Sequence, residues 1–229
     1  MTTSKGKTTL ALIAGALALG LAPDPMVQPA AWAAENLIVA DGPQAGHKWS
    51  PDLTPYAVPI LNCLAADGPH TRVSVRKSAQ TGLTEVGIAW LGSIIDKTPA
   101  KAMVVFPTLA LVKDFNSEKL TPTLDQTPAL NRKVNGHRSR SASGSTALSK
   151  KFPGGSLTLT GANSAADLRS KTVKYLFCDE IDQWPQDLDG QGDPMEMANA
   201  RQIAFHATAD YKKFEASTPT IKGLSRIVM

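Results

Sequence analysis

Two short stretches, about a hundred residues apart, carry side chains of the types and spacing that phosphate chemistry requires. The first is Lys77-Ser78-Ala79-Gln80-Thr81-Gly82-Leu83-Thr84. On the phosphate-loop pattern G-x-x-x-x-G-K-[ST], Gly82 takes the second glycine and Thr84 the hydroxyl. Lys77 stands at the first glycine, and Leu83 stands where the lysine is usual. The chemistry tolerates that move. Backbone N–H groups at a helix N-terminus bind phosphate whatever the side chains are. Thr84 is placed to offer a hydroxyl to Mg²⁺, and the stem of Lys77 is long enough to fold back over the β- and γ-phosphates of ATP. Taken alone, the stretch also reads as a polar strand-to-helix turn with a surface lysine.

The second stretch is Val173-Lys-Tyr-Leu-Phe-Cys-Asp179-Glu180, an apolar run that stops at two adjacent carboxylates. Ligands of parallel α/β sheets sit at the carboxyl ends of strands. Asp179 there is suited to the Mg²⁺ shell, as a Walker B aspartate is. Glu180 is suited to polarise the attacking water as general base. The plainer alternative is an acidic strand end that caps the next turn.

The elements needed to hold these groups are legible around them. Val73 and Val75 alternate with polar residues as in a strand, and Thr84 to Leu91 has helical spacing. Lys101 to Phe106 is a buried-strand run turned by Pro107-Thr108 into a helix from about Leu109. Ser156 to Thr160 alternates as a strand, and Lys212 to Ala216 is a further one, followed by Ser217-Thr218-Pro219-Thr220. Asp193-Pro194 caps a helix reaching about Ala207. Strand and helix in alternation give right-handed crossovers: a three-layer α/β fold with a mainly parallel sheet and helices on both faces.

Composition sets the outer bounds. The 229 residues are 42% apolar with a net charge of +4, enough for one large domain and suggestive of an anionic partner. Cys63 and Cys178 give neither a disulfide framework nor a metal spacing, and the four histidines form no ligand pattern. Thr8 to Ala22 is apolar and imitates a signal peptide, but it stops well short of Ala31-Trp-Ala33 and Pro23-Asp-Pro25 interrupts it. It is also shorter than the ~20 residues of a membrane span. An apolar packing helix is the better reading, with a second helix from Pro29 to Val39. Residues 1–40 thus form a helical segment, and 41–229 the ATP-binding domain. Ala40 to Pro55 is loop, and Tyr56 to Ala66 a helix whose Tyr56 is a candidate adenine contact.

Residues 126–166 contain no Asp or Glu but carry Arg132, Lys133, Arg138, Arg140, Lys150 and Lys151. Asn135 to Ser149, rich in Ser, Gly and Arg, reads as a loop. It is either a solvated one or an arm for phosphate backbones. Asp187-Leu-Asp-Gly190 lacks the spacing of a calcium loop and reads as a turn.

Four motifs together resemble a known family. Lys77 to Glu85, Gly161-Ala-Asn-Ser-Ala-Ala-Asp-Leu-Arg-Ser170, Phe177-Cys-Asp-Glu-Ile-Asp182 and Ser217 to Thr220 are similar to the large terminase subunit of tailed bacteriophages, lambda-like type, from about residue 20 onward. The displaced lysine is characteristic of that family. The resemblance implies a phosphate-loop ATPase in the host cytoplasm that uses Mg²⁺ and ATP to drive double-stranded DNA into a procapsid. Its implied partners are duplex DNA, a small terminase subunit met by the N-terminal helices, the procapsid portal and further copies in a ring, with no membrane. Ser217 and Thr218 would belong to the motif that couples hydrolysis to movement. Arg76, with Arg138 and Arg201 behind it, is the in-chain candidate for the arginine that completes the site. The family's nuclease domain would start just past Arg226, so no DNA cutting is expected of this chain. Two other readings stay open: a helicase-like remodeller on the same fold, and a non-catalytic assembly module.

Overall fold

The computed structural model describes residues 27–134, 146 and 148–228. The apolar run from Thr8 to Ala22, and Arg138 and Arg140, lie outside the described residues. Within them six strands form one sheet in the order β1-β6-β5-β2-β4-β3. The strands are β1 (Arg72–Arg76), β2 (Lys101–Phe106), β3 (Ser149–Phe152), β4 (Gly155–Gly161), β5 (Tyr175–Asp179) and β6 (Lys212–Ser217). All pairings are parallel except that of β3 with β4. Helices α1 (Pro29–Asn36), α2 (Ala57–Cys63), α3 (Leu83–Lys97), α4 (Leu109–Asp114), α5 (Thr121–Gln126), α6 (Pro128–Val134), α7 (Ala165–Arg169) and α8 (Pro194–Asn199) complete the chain. A π-helical turn, Phe115–Leu120, joins α4 to α5, and tight 3₁₀ turns follow β5 and α8. The expected three-layer fold, mainly parallel, is the one observed.

Period-two side-chain alternation splits the core into two layers. Val104, Phe106, Leu157, Leu159, Tyr175, Phe177 and Phe214 face α3, whereas Met103, Val105, Leu176 and Cys178 face α8. Strand β5 is buried along its whole length, as its uninterrupted apolar run demands of a central parallel strand. Helix α3 is apolar nearly all round because it lies between the sheet and the first helices. A Cβ on Gly87 would stand 2.3 Å from the Phe177 ring, so glycine there lets α3 sit directly on β5. Phe177 in turn stacks on Phe214 at 5.1 Å between ring centres, which brings β5 and β6 into one packed unit.

Several boundaries differ from the sequence reading. Helix α1 ends at Asn36 because Leu37 turns extended, and Ile38 pairs with Lys48 in an antiparallel bridge. Its Trp32 is fully buried and donates to Asp96 Oδ2 at 2.9 Å, so this face of the first helices serves the domain's own core. Helix α2 spans only Ala57–Cys63. Strand β3 begins at Ser149, at the edge of the expected loop, and Lys150 is buried with its ammonium on Thr121 Oγ1 at 3.1 Å. The helix from Pro194 changes at Asn199 to a 3₁₀ turn, where buried Gln202 donates to the carbonyls of Lys174 and Lys212. All six residues of β6 are buried despite the sequence Lys-Lys-Phe-Glu. Its Glu215 carboxylate accepts from Arg72 Nε at 2.7 Å and Ser74 Oγ at 2.6 Å, and pairs with Lys213. Burial works against that charge, but Lys213, Ser74 and Arg72 hold the Glu215 carboxyl below its usual range.

Candidate active site

The strand order explains how two distant stretches meet. Strand β6 lies between β1 and β5, and the register pairs Arg76 with Ser217 and Asp179 with Ala216. The ladder continues one step further, with Lys77 N–H donating to Ser217 O at 2.9 Å. Lys77, Ser217 and Asp179 therefore leave the sheet side by side at its carboxyl edge. Beyond Lys77 the chain turns through Gln80 and Gly82, both with positive φ (56° and 73°), and enters α3. Glycine suits that last step, because a left-handed residue just ahead of the helix aims its first N–H groups back over the loop.

The side chains close on one another. Lys77 Nζ lies 3.0 Å from Asp179 Oδ1 and 2.9 Å from Glu180 Oε1, with only 8% of the lysine side chain exposed. Thr84 Oγ1 donates to Asp179 Oδ2 at 2.8 Å. Burial lowers the lysine's affinity for its proton, but the two carboxylates outweigh it and hold Lys77 above the usual lysine range. Glu180 has φ of 50°, a strained value for a residue with a side chain, which turns its carboxylate back toward β6. Its second oxygen accepts from Thr218 N–H at 3.3 Å and lies 3.5 Å from Ser217 Oγ. Trp184 Nε1 donates to Asp179 O at 3.0 Å and pins the turn after the strand.

The oxygens of Asp179 and Thr84, 2.8 Å apart beside a cation, form a hard donor pair of the kind Mg²⁺ takes when phosphate and water supply the remaining ligands. Among the described residues no group of three or more His, Cys, Asp or Glu could hold a metal alone. The loop members Ser78 and Ala79 are exposed, Thr81 is half-buried, and Leu83 is buried in the core. Arg76 is exposed at the end of β1, whereas Arg201 donates to Arg169 O at 2.6 Å and Met197 O at 3.2 Å. Asp187 accepts from Gly192 N–H at 2.8 Å and from Gly190 N–H, as in an ordinary turn. Cys178 is buried with its thiol pushed up to about 12 by desolvation, so it is unreactive.

Beside the loop lies a cavity of about 230 Å³ walled by Val39, Trp49, Leu53, Tyr56, Gly82 and Glu85 among others. Tyr56 Oη donates to Thr81 O at 2.7 Å, which ties the cavity wall to the loop between Lys77 and Thr84. Glu85 was not singled out from the sequence. Its Oε1 is buried without a hydrogen-bond donor, and Lys119 of the π-helical turn pairs with Asp41 nearby at 3.4 Å. Desolvation holds the Glu85 carboxyl up at about 7, against 4.5 for a free one. The folded state then binds this proton more tightly than the unfolded chain, so its contribution falls as pH rises from 4.5 through about 7. In nucleotide-free protein Glu85→Gln should match the parent near pH 4.5 and exceed its stability by up to roughly 3 kcal/mol near pH 8. Urea unfolding of both proteins at the two pH values measures this; a parent-minus-variant difference independent of pH would show that Glu85 is not held neutral.

Comparisons with known proteins place the chain in a family. Residues 43–229 match the family described as phage terminase large subunit gpA, ATPase domain. The large terminase subunit of Enterobacteria phage P21 is 25% identical over 173 residues, and that of Escherichia phage lambda is 21% identical over the same length. Each alignment covers 76% of this chain and 26% of the relative, so the chain spans about a quarter of those subunits. Among solved structures, the Thermus phage P74-26 large terminase ATPase domain aligns with a TM-score of 0.46 at 13% identity, over 69% of this chain and 63% of the other. With most of its length matched by one family, the chain belongs to the phage terminase large subunits, as a member of their ATPase-domain family.

Proposed function

We propose that this domain hydrolyses Mg-ATP in the loop between Lys77 and Thr84 and serves as the motor of a DNA-packaging terminase. The observation that carries the reading is the hydrogen-bonded cluster of Lys77, Asp179, Glu180 and Thr84 at the carboxyl edge of the sheet. The loop's N–H groups and Lys77 bind the phosphates, with Lys77 leaving the carboxylates to do so. Thr84 and Asp179 hold the Mg²⁺, which supplies charge neutralisation to the phosphates when bound. Glu180, released from Lys77, takes the proton of the attacking water. Ser217 and Thr218 touch the Glu180 carboxylate and so register its movement. Tyr56 walls the place for the base, and Arg76 is the in-chain arginine nearest the loop in sequence.

Four variants test this together. Lys77→Ala should lose both ATP binding and turnover. Glu180→Gln should bind ATP and leave it unhydrolysed. Leu83→Ala should keep ATP affinity while losing roughly 2–5 kcal/mol of stability, because Leu83 is buried. Tyr56→Ala should weaken ATP more than inorganic triphosphate. Parent-like binding and turnover by Lys77→Ala would overturn the assignment of the loop.

Duplex DNA, the small subunit, the portal and further copies of the chain are the partners this reading calls for, in the host cytoplasm. No helix among the described residues is long and apolar enough to cross a membrane. Within the acid-free stretch Lys133 is engaged by Asp96 at 2.9 Å, and Lys150 by Thr121. The DNA contacts of the stretch then fall to residues such as Arg138 and Arg140. Duplex binding should be sequence-independent and fall steeply with salt, and replacing both arginines by alanine should reduce the log–log salt slope by roughly 2. An unchanged slope would move the DNA track elsewhere.

A further inference from the structure

The chain beyond β6 is fastened to the site by a residue that neither the phosphates nor the metal needs. Asp182 sits in the 3₁₀ turn Ile181–Gln183, two residues past Glu180. Its Oδ2 accepts from Thr220 N–H at 3.0 Å and faces Thr220 Oγ1 at 3.4 Å. Its Oδ1 accepts from Ile227 N–H at 3.0 Å. Its own N–H donates to Ser217 Oγ at 3.1 Å, the hydroxyl that lies 3.5 Å from Glu180 Oε2. One carboxylate thus holds two points, seven residues apart, of a segment without strand or regular helix. The backbone of the same residue holds the end of β6.

We infer that Asp182 is the positioning residue that makes the turn carrying Glu180 and the segment from Thr218 to Ile227 move as one body. The inference rests on the nucleotide reading above and adds the route by which the site's state leaves it. The geometry has two properties that a simple anchor does not require. Ser217 Oγ is shared between the Asp182 N–H and the Glu180 carboxylate, so a shift of either is felt by the other. The backbone of Glu180 is held at a positive φ, and the turn that follows it is fastened by Asp182 at its centre and by Trp184 just past its end. Arg226 fixes the same segment independently, donating to Asp193 at 2.7 and 2.9 Å and to Pro185 O at 2.8 Å. Removing the Asp182 carboxylate therefore leaves the segment attached at Arg226 and, through Thr218 N–H, at Glu180, and takes away the hold of the turn on Thr220 and Ile227. The Asp182 carboxylate makes its hydrogen bonds to the segment after β6 and not to the loop from Lys77 to Thr84, so nucleotide affinity should change little.

Asp182→Asn keeps the size but places an amide –NH₂ where one N–H needs an acceptor, while Asp182→Glu keeps both acceptor oxygens. The experiment measures turnover and KM for ATP, together with hydrogen exchange at the Thr220 and Ile227 amides, with and without Mg²⁺ and a non-hydrolysable ATP analogue. In the parent, the analogue should change the exchange of both amides. In Asp182→Asn, KM should stay within about twofold, kcat should fall about tenfold or more, and the analogue should no longer alter the exchange; Asp182→Glu should recover part of kcat. The exchange readout separates this from partial unfolding, which would raise exchange with or without the analogue. Unchanged kcat in Asp182→Asn, or a retained exchange response, would overturn the inference alone. A parent with no Mg-dependent turnover would overturn the nucleotide reading, and this inference with it.

Discussion

One ammonium group between two carboxylates organises this domain. Lys77 Nζ is within 3.0 Å of both Asp179 and Glu180 and almost wholly enclosed. Removing Lys77 would leave two neighbouring carboxylates, the buried one of Asp179 among them, without their cation, and loss of one partner of a buried pair destabilises other proteins by about 3–5 kcal/mol. The cluster can exist only if β1 and β5 end at the same level, and β6 between them sets that level through its register with each. The Phe177–Phe214 stack, Gly87 under the Phe177 ring and the all-buried β5 are what keep those strand ends fixed.

The polar interior on the other side of β6 follows the same logic. Glu215 is fully buried, yet Arg72, Ser74 and Lys213 together satisfy it. Lys212 reaches the carbonyls of Gly68 and His70, although desolvation lowers its affinity for the proton. These contacts join β6 to the entry of β1. The strand that carries Ser217 is thereby held along its length, while the chain beyond it is irregular.

How much of this was legible in the sequence depended on whether the signal was local. The apolar runs ending at Phe106 and Asp179 were, because a parallel strand buried on both faces has no other composition. Lys77 stood out as the only lysine of its loop, and it is the residue that meets Asp179 and Glu180. Strand β3 was not: four residues, Ser-Lys-Lys-Phe, carry no periodic signal, and pairing with β4 decides their conformation. The burial of Lys212, Lys213 and Glu215 was equally hidden, since their partners are set by register and not by spacing. Glu85 and Asp182 end two of the family motifs yet suggested no role of their own, for a different reason. Each lies within two residues of one with an evident role, and its own surroundings appear only when the cavity wall and the segment after β6 fold beside it.

The most direct test is a structure of the domain with Mg²⁺ and a non-hydrolysable ATP analogue. The expected result has the β-phosphate in the loop between Lys77 and Thr84. Lys77 Nζ has moved from Asp179 and Glu180 onto phosphate oxygens, and the metal lies against Thr84 Oγ1 on the Asp179 side. A nucleotide bound elsewhere, with Lys77 still held between its two carboxylates, would contradict it.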